Sequence, residues 1–263
     1  MITQIYARTL SIFTGMLLTI LTLLMLFEGF AFNIPFYISG FEAYNVADIV
    51  NISNDSLKIV TADLVNYIDD GSGDLNVKVE IDGVMTPYFN IKEQAHLTDI
   101  RHLVRRARNM LATLKTIFFV ALALNVLFLK GIRKYVFLKY SVFATIATLL
   151  VLSLMYFMDF SWAFTQFHLI LFYNNLWLLD PSKDRLLQMM PLEFFMRFTM
   201  FWLFSVAAMQ LIYLSAYRIL KKFTDNANVQ FEAMKNARPI KSNTVVSEKQ
   251  PKNHSKKKKK KKS

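Results

Sequence analysis

A chain of 263 residues in which 54% are hydrophobic and only 19% are charged is too apolar for an ordinary soluble domain, so its composition indicates a membrane protein. The net charge of +12 comes from the C-terminal end: residues 1–217 carry 16 Lys/Arg and 16 Asp/Glu, whereas residues 218–263 carry 15 Lys/Arg and 3 Asp/Glu. The main body is therefore neutral, which excludes a basic nucleic-acid-binding domain there. The absence of Cys excludes a disulfide framework, a thiolate metal site and a cysteine nucleophile.

Leu10–Phe27 is an uncharged run of 18 residues that predicts the first transmembrane helix. Continued through Phe32, at about 1.5 Å per residue, it crosses a hydrocarbon core of about 30 Å. We expect no cleavage, because the apolar run exceeds the usual ~7–15 residues of a signal peptide and no small-x-small pattern follows. The further hydrophobic candidates are Asn109–Leu129, Tyr140–Met158, Phe160–Leu179 and Phe198–Tyr217.

Charge placement decides which candidates span. Basic residues crowd the loop between the second and third candidates, and the tail from Arg218 onward is basic, so both should be cytoplasmic. An even number of crossings must then separate them, and the polar residues within Phe160–Leu179 favour an interfacial or re-entrant segment there. The sequence therefore predicts four transmembrane helices with both termini in the cytoplasm.

The predicted fold is a mainly α membrane protein with a small α/β extracytoplasmic domain between the first and second helices. In that domain, Asp55-Ser56 should cap a helix that runs toward Tyr67, and Asp82-Gly83 is a strong hairpin signal. Asn90 and Glu93 form a capping-box pattern that begins a helix continuing into the second span. The predicted divisions are 1–32 (N-terminus and first helix), 33–108 (extracytoplasmic domain), 109–158 (second and third helices), 159–196 (outer interfacial segment), 197–217 (fourth helix) and 218–263 (basic cytoplasmic tail).

Three histidines outside the tail are candidates for chemistry. His96 and His102 are six residues apart, which suits a two-histidine metal face poorly because such a face uses i, i+4 spacing. Asp99, one turn after His96, could instead orient that imidazole and favour its protonated form. The alternative is that His96 is an interfacial residue without a catalytic role. We expect no metal and no cofactor.

His168 is the sharper signal, because an ionisable residue within an apolar segment at the membrane boundary is costly unless it is used or paired. It is either a functional residue or a neutral imidazole bonded to a backbone carbonyl. Downstream, Asp180-Pro181 predicts a turn at the headgroup level, with Trp177 as an interfacial anchor. The lysine run Lys256–Lys262 either docks on anionic lipid or is simply solvated.

Catalytic motifs of hydrolases, metalloproteases and nucleotide-binding proteins are absent from the sequence, so any chemistry would rest on histidine acid–base catalysis. The run from Phe167-His168 through Asn174, Trp177, Asp180-Pro181 and Asp184 to Phe194-Phe195 resembles the signature of the lipoprotein intramolecular transacylases (Lit) of Gram-positive bacteria. Two shorter motifs support the resemblance: Asn33-x-Pro35-Phe36-Tyr37, and Glu93-x-x-His96-x-x-Asp99-Ile100. The likeness covers residues from about 10 to 217, and Leu97 departs from the Met expected there.

The resemblance implies an acyltransferase at the outer leaflet of the plasma membrane. Its substrate would be a diacylated lipoprotein, whose sn-2 acyl chain moves from the glyceryl ester to the α-amino group of the same N-terminal Cys, giving a lyso-form lipoprotein. We expect His168 to act as general base and His96, with Asp99, as its partner or as the acid, although the two roles could be exchanged. Asn174 is the expected oxyanion donor, and Trp177, Asp180 and Asp184 are expected to support the site.

Two other classes of function stay open at this stage. A membrane lipid or peptide hydrolase could use the same histidine chemistry, and a non-catalytic accessory protein would need neither histidine. Membrane lipids are expected partners in each case, and nucleic acid is not.

Overall fold

The structure is a computed structural model that describes residues 2–237, and this part of the chain is mostly helical. Its α-helices are α1 (Ile2–Ala31), α2 (Ile34–Ala43), α3 (Val46–Ile49), α4 (Asn54–Asp69), α5 (Ile91–Phe128), α6 (Val136–Met158), α7 (Phe160–Leu171), α8 (Arg185–Met189) and α9 (Leu192–Ala237). A 3-10 turn, Gly131–Tyr135, precedes α6. Strands β1 (Lys78–Ile81) and β2 (Val84–Pro87) pair antiparallel, with Lys78 opposite Pro87.

Four helical segments are long and apolar enough to cross a membrane, in agreement with the predicted number: Gln4–Ala31, Ile91–Phe128, Gly131–Met158 and Leu192–Asn236. At about 1.5 Å per residue, the 38 residues of α5 are far longer than a hydrocarbon core of about 30 Å. The charged residues of α5 are concentrated before Asn109. We therefore take residues 109–128 as its membrane-crossing part and residues 91–108 as part of the domain that precedes it.

Helix α1 contacts α5 and α6 through small and polar side chains, as membrane helices commonly do. Gly15 permits close approach to α6, because an added Cβ would lie 2.7 Å from Phe137 O. The Thr19 hydroxyl lies 3.1 Å from both the carbonyl and the hydroxyl oxygen of Ser141. On the other side, the fully buried Asn125 of α5 donates to Thr14 Oγ1 at 2.7 Å. These bonds fix α1 against both neighbours.

The domain between α1 and the membrane-crossing part of α5 has its own hydrophobic core. Sixteen buried residues form it: Phe41, Val46, Ala47, Val50, Ile52, Leu57, Val60, Leu64, Leu75, Val79, Tyr88, Phe89, Leu97, Leu186, Met189 and Phe194. The last three come from α8 and from the start of α9, about one hundred residues after α5 begins. The core therefore holds the segment after α7 against the beginning of α5.

Local signals in this domain are largely confirmed. Asp82 and Gly83 both have positive φ, as a two-residue hairpin turn requires, and they connect β1 to β2. Asn90 and Glu93 form the predicted capping box. The cap of α4 differs from the prediction, which placed it at Asp55-Ser56. The N-cap is Ser53, whose Oγ accepts a hydrogen bond from the backbone N–H of Ser56 at 3.0 Å.

The segment after α6 does not form a spanning helix. Helix α7 has 12 residues, about 18 Å at the usual rise, and the chain is irregular from Phe172 until α8 begins at Arg185. Helix α9 extends past the predicted end at Tyr217 and reaches Ala237. By its internal contacts the chain divides after Thr224. His254 and the Lys256–Lys262 run lie outside the described residues.

Candidate active site

Two histidines from distant parts of the sequence lie close together at the end of the bundle that carries the domain. The ring centroids of His96, on α5, and His168, on α7, are 6.4 Å apart with an angle of 38° between the rings. Phe172 contacts both, at 5.2 Å from His96 and 5.8 Å from His168. His102, the third candidate, is exposed on α5 and takes no part in this cluster. The two rings are therefore close enough for the partnership expected of them, and their catalytic roles stay predictions.

Aromatic side chains fix the His168 ring. Trp177 stacks on it at 5.1 Å with an interplanar angle of 27°, and Phe164 lies at 4.4 Å. Phe160, Phe164, His168 and Phe172 recur every four residues and therefore share one face of the α7 segment. Trp177, predicted to be an interfacial anchor and a supporting residue of the site, thus stacks directly on His168.

A hydrogen bond fixes the tautomer of His168. Its Nδ1 lies 2.8 Å from the carbonyl oxygen of Phe164, one turn earlier. A carbonyl oxygen can only accept, so Nδ1 carries the proton and, in the neutral ring, Nε2 keeps a free lone pair. Burial lowers the pKa of His168 below its ordinary value, which the bond to Phe164 partly opposes. His168 is therefore neutral at pH 7, with one basic nitrogen available.

His96 is more deeply buried, with 5% of its surface exposed. Its Nδ1 is buried and has no hydrogen-bond partner among the described residues. The pKa of His96 is lowered to about 4, chiefly by burial; the nearby His168 and Lys92 also lower this pKa, and Asp99 opposes them. Asp99 does favour the protonated form of His96, as expected, but the loss of hydration outweighs this one carboxylate, so His96 is also neutral at pH 7.

Asp99 has a different partner. Its Oδ2 accepts a hydrogen bond from Asn174 Nδ2 at 2.8 Å, and Asn174 Oδ1 accepts from the backbone N–H of Leu176 at 3.0 Å. This bond does not orient His96, which corrects the prediction for Asp99. It ties the irregular segment after α7, which carries Trp177, to the helix that carries His96. Asn174 keeps its second amide N–H uncommitted among the described contacts, and its role as an oxyanion donor stays a prediction.

Asp180 and Asp184 organise the same segment. Asp180 Oδ1 accepts from Ser182 N and Oγ, which lowers the pKa of Asp180 and closes a turn at Pro181. Asp184, with 6% of its surface exposed, accepts from Asp180 N at 2.6 Å and from Asn90 Nδ2 at 2.7 Å. Both carboxylates contact the main chain of their own segment, so they act on its shape.

Glu93 connects the two halves of the site, a role that the sequence indicated only as a helix cap. Its side chain is 1% exposed; Oε2 accepts from Asn90 N at 2.6 Å and Oε1 from Leu186 N at 2.6 Å. One carboxylate thus accepts backbone N–H groups at both the start of α5 and the start of α8. The spacing of Phe160, Phe164, His168 and Phe172, four residues apart, is a sequence pattern that could have predicted the aromatic face. No local pattern pairs Glu93 with Leu186.

No group of three His, Cys, Asp or Glu that could hold a metal ion occurs in the part of the chain that the structure describes. What the site offers is two neutral imidazoles in an aromatic setting, with a free Nε2 on His168. Such an arrangement can move a proton between neutral groups and can exclude water around them. It suits acid–base catalysis on an apolar substrate.

Comparisons with known proteins identify the family of the chain. The family model described as lipoprotein intramolecular transacylase Lit matches residues 12–195, which is more than half of the chain. No curated protein sequence matches. The chain is similar in structure to the membrane-integral lipoprotein intramolecular transacylase Lit from Bacillus cereus, with a TM-score of 0.69, 20% identity, and coverage of 82% of this chain and 96% of that one.

Two histidine variants of the same Bacillus cereus protein also match. The variant in which a histidine is replaced by arginine has a TM-score of 0.68, 19% identity, and coverage of 84% and 95%. The variant in which it is replaced by alanine has a TM-score of 0.66, 19% identity, and coverage of 82% and 94%. At such identities the likeness establishes the fold, and the family model establishes the family. The chain therefore belongs to the lipoprotein intramolecular transacylases and is a multi-pass membrane acyltransferase.

Proposed function

We propose that the protein moves the sn-2 acyl chain of an S-diacylglyceryl lipoprotein from its glyceryl ester to the α-amino group of the same N-terminal Cys. The observation that carries this proposal is the pair of neutral imidazoles, His96 and His168, whose centroids are 6.4 Å apart. Ester and amine belong to one molecule, so holding them together supplies an effective molarity on the order of 10⁵ M or more, without an acyl-enzyme.

The proton balance of this reaction fits two neutral bases. His168 Nε2 takes a proton from the attacking amine while the new C–N bond forms at the ester carbonyl. The bond from that carbonyl to the glyceryl oxygen then breaks, and the oxygen receives the same proton, from His168 or by way of His96. No net proton is gained or lost. Because the pKa of His96 is about 4, His96 acts as an acid only with a proton delivered during the cycle.

The substrate must present a neutral amine. An α-amino group has an ordinary pKa of about 7.7–8.0, and removal from water favours its neutral form. The aromatic side chains around His168, chiefly Phe164, Phe172 and Trp177, provide that dry setting. Asn174, held by Asp99, is the donor we assign to the developing oxyanion, through its second amide N–H.

The test uses a synthetic diacylated lipopeptide and follows its mass and its free α-amine. Transacylation leaves the mass unchanged while the amine loses its reactivity toward amine labels. His168→Ala and His96→Ala should each lose most of the activity, whereas His102→Ala, an exposed histidine on the same helix, should keep it. A product lighter by one acyl chain would identify a hydrolase instead. Full activity in His168→Ala would refute the proposal.

We further propose that the domain end of the bundle faces the exterior of a Gram-positive cell, with both termini in the cytoplasm. The short basic loop around Lys130–Lys134 lies at the opposite ends of α5 and α6, as the positive-inside rule requires. The chain has no Cys, so single cysteines report orientation directly. Ser72→Cys should react with a membrane-impermeant maleimide in intact cells and Arg133→Cys should not; the reverse pattern would invert the topology.

A further inference from the structure

A groove separate from the histidine pair lies between the domain ends of α6 and α9. It encloses about 440 Å³ and is lined by Tyr44, Tyr156, Glu193, Met196, Arg197, Met200 and Phe201. Neither histidine lines it. Arg197 is the last charged residue before the uncharged run Phe198–Tyr217, and Tyr156 lies three residues before Asp159, which ends the uncharged run of α6. The groove is therefore at the level where hydrocarbon gives way to lipid headgroups.

Arg197 is held by aromatic rings rather than by a carboxylate. Its guanidinium lies over Phe201 at 5.5 Å and over Phe36 at 5.9 Å, and its Nη2 donates one weak hydrogen bond of 3.3 Å to Ser39 Oγ. Its Nε is buried without a hydrogen-bond partner, and it makes no ion pair within the described residues. Most donors of this planar, permanently charged group are thus unused, and such a fork matches a phosphate.

Glu193 lies one helical turn before Arg197 on the same groove wall. A Glu and an Arg four residues apart on a helix commonly pair with each other. Here they form no ion pair, and the Glu193 side chain is exposed in the groove. The groove therefore presents a positive and a negative group side by side, each free for an external partner of opposite sign.

We propose that this groove binds a glycerophospholipid whose headgroup carries both a phosphate and a primary ammonium group. Arg197 binds the phosphate, Glu193 binds the ammonium, and Met196, Met200 and Phe201 contact the upper part of an acyl chain. The diacylglyceryl group of the proposed lipoprotein substrate has no phosphate, so this site goes beyond the proposed function and holds a separate molecule, a bilayer lipid.

The test is native mass spectrometry of the full chain in detergent micelles with three lipids that have identical acyl chains. Phosphatidylethanolamine carries both charges, phosphatidylmethanol carries only the phosphate, and diacylglycerol carries neither. The wild-type protein should retain one phosphatidylethanolamine in preference to phosphatidylmethanol, and diacylglycerol least. Arg197→Gln should weaken retention of phosphatidylethanolamine about tenfold or more, since it removes a charge-assisted pair. Glu193→Gln should abolish the preference for phosphatidylethanolamine over phosphatidylmethanol.

Arg106→Gln is the matched control, because Arg106 is exposed on α5 and is not part of the groove; its lipid retention should equal that of the wild-type protein. If Arg197→Gln does not fold, as judged by thermal unfolding, Met200→Trp fills the groove while keeping both charges and should lower retention to a similar degree. Retention of diacylglycerol equal to that of phosphatidylethanolamine, or unchanged retention in whichever of these variants folds, would overturn the proposal.

Discussion

Glu93 is the residue whose removal should most affect both stability and catalysis without touching either histidine. Its buried carboxylate accepts the backbone N–H of Asn90 through one oxygen and that of Leu186 through the other, each at 2.6 Å. Asn90 in turn donates to Asp184, which accepts the N–H of Asp180. The substitution Glu93→Ala therefore removes a buried connection between the segment that carries Trp177 and the helix that carries His96, and leaves the bonds Asp99–Asn174 and Asn90–Asp184 to hold them.

The magnitude follows from the two lost bonds. Hydrogen bonds to a charged group contribute about 1.5–3 kcal/mol each, so their loss costs about 3–6 kcal/mol before compensation. Burial raises the pKa of Glu93, which shows that the charged form is poorly hydrated in the fold, and removing that charge recovers part of the loss. We expect a net destabilisation of about 2–4 kcal/mol, and in a chain of this size each kcal/mol lowers the unfolding temperature by about 2–4 °C.

The assay compares thermal unfolding and transacylation of Glu93→Ala and Glu93→Gln with those of the matched control Glu80→Gln, which alters an exposed glutamate on β1. Glu93→Ala should unfold about 5–15 °C lower than the wild-type protein and have a reduced kcat, because the Trp177 side of the site is held less firmly. Glu93→Gln keeps one acceptor oxygen and should lose less. The control should stay within about 0.5 kcal/mol of the wild-type protein. An unchanged unfolding temperature and kcat in Glu93→Ala would contradict the role assigned to Glu93.

Three further predictions concern single residues. The free energy of unfolding should fall as the pH drops from about 6.5 toward 4, because the lowered pKa of His96 means that the unfolded chain takes up the proton first. In His96→Gln the unfolding temperature should depend less on pH across this range, and the same pH dependence as in the wild-type protein would contradict the prediction. Gly15→Ala should destabilise the detergent-solubilised protein by about 1–3 kcal/mol, because the added methyl group clashes with α6. Gly29→Ala, which has open space around it, should be neutral or stabilising. Equal unfolding temperatures of the two variants would argue against close packing at Gly15. Trp177→Ala should lower kcat while Trp177→Phe retains most of it, because a phenyl ring still stacks on the imidazole; equal losses would exclude stacking as the cause.

Much of the local structure could be predicted from short patterns. The four spanning helices followed from uncharged runs, the hairpin from Asp82-Gly83, and the start of α5 from the Asn90 and Glu93 capping box. Each of these patterns involves residues that are close in sequence, and the interactions that it predicts form between the same residues. The cap of α4 was placed two residues late because Ser53, Asp55 and Ser56 are all good capping residues and only the backbone path selects among them.

Residue types along the chain are enough to show that it crosses a membrane, from which charged groups are excluded, and that histidine is the available acid–base group, because hydration and reactivity depend on residue type. Three contacts of the site could be found only in the folded chain: Asp99 binds Asn174 rather than His96, Trp177 stacks on His168, and Glu93 joins α5 to α8. Those partners are separated by up to ninety-three residues. Their pairing depends on how the domain core closes around Leu186 and Met189, which no local pattern encodes.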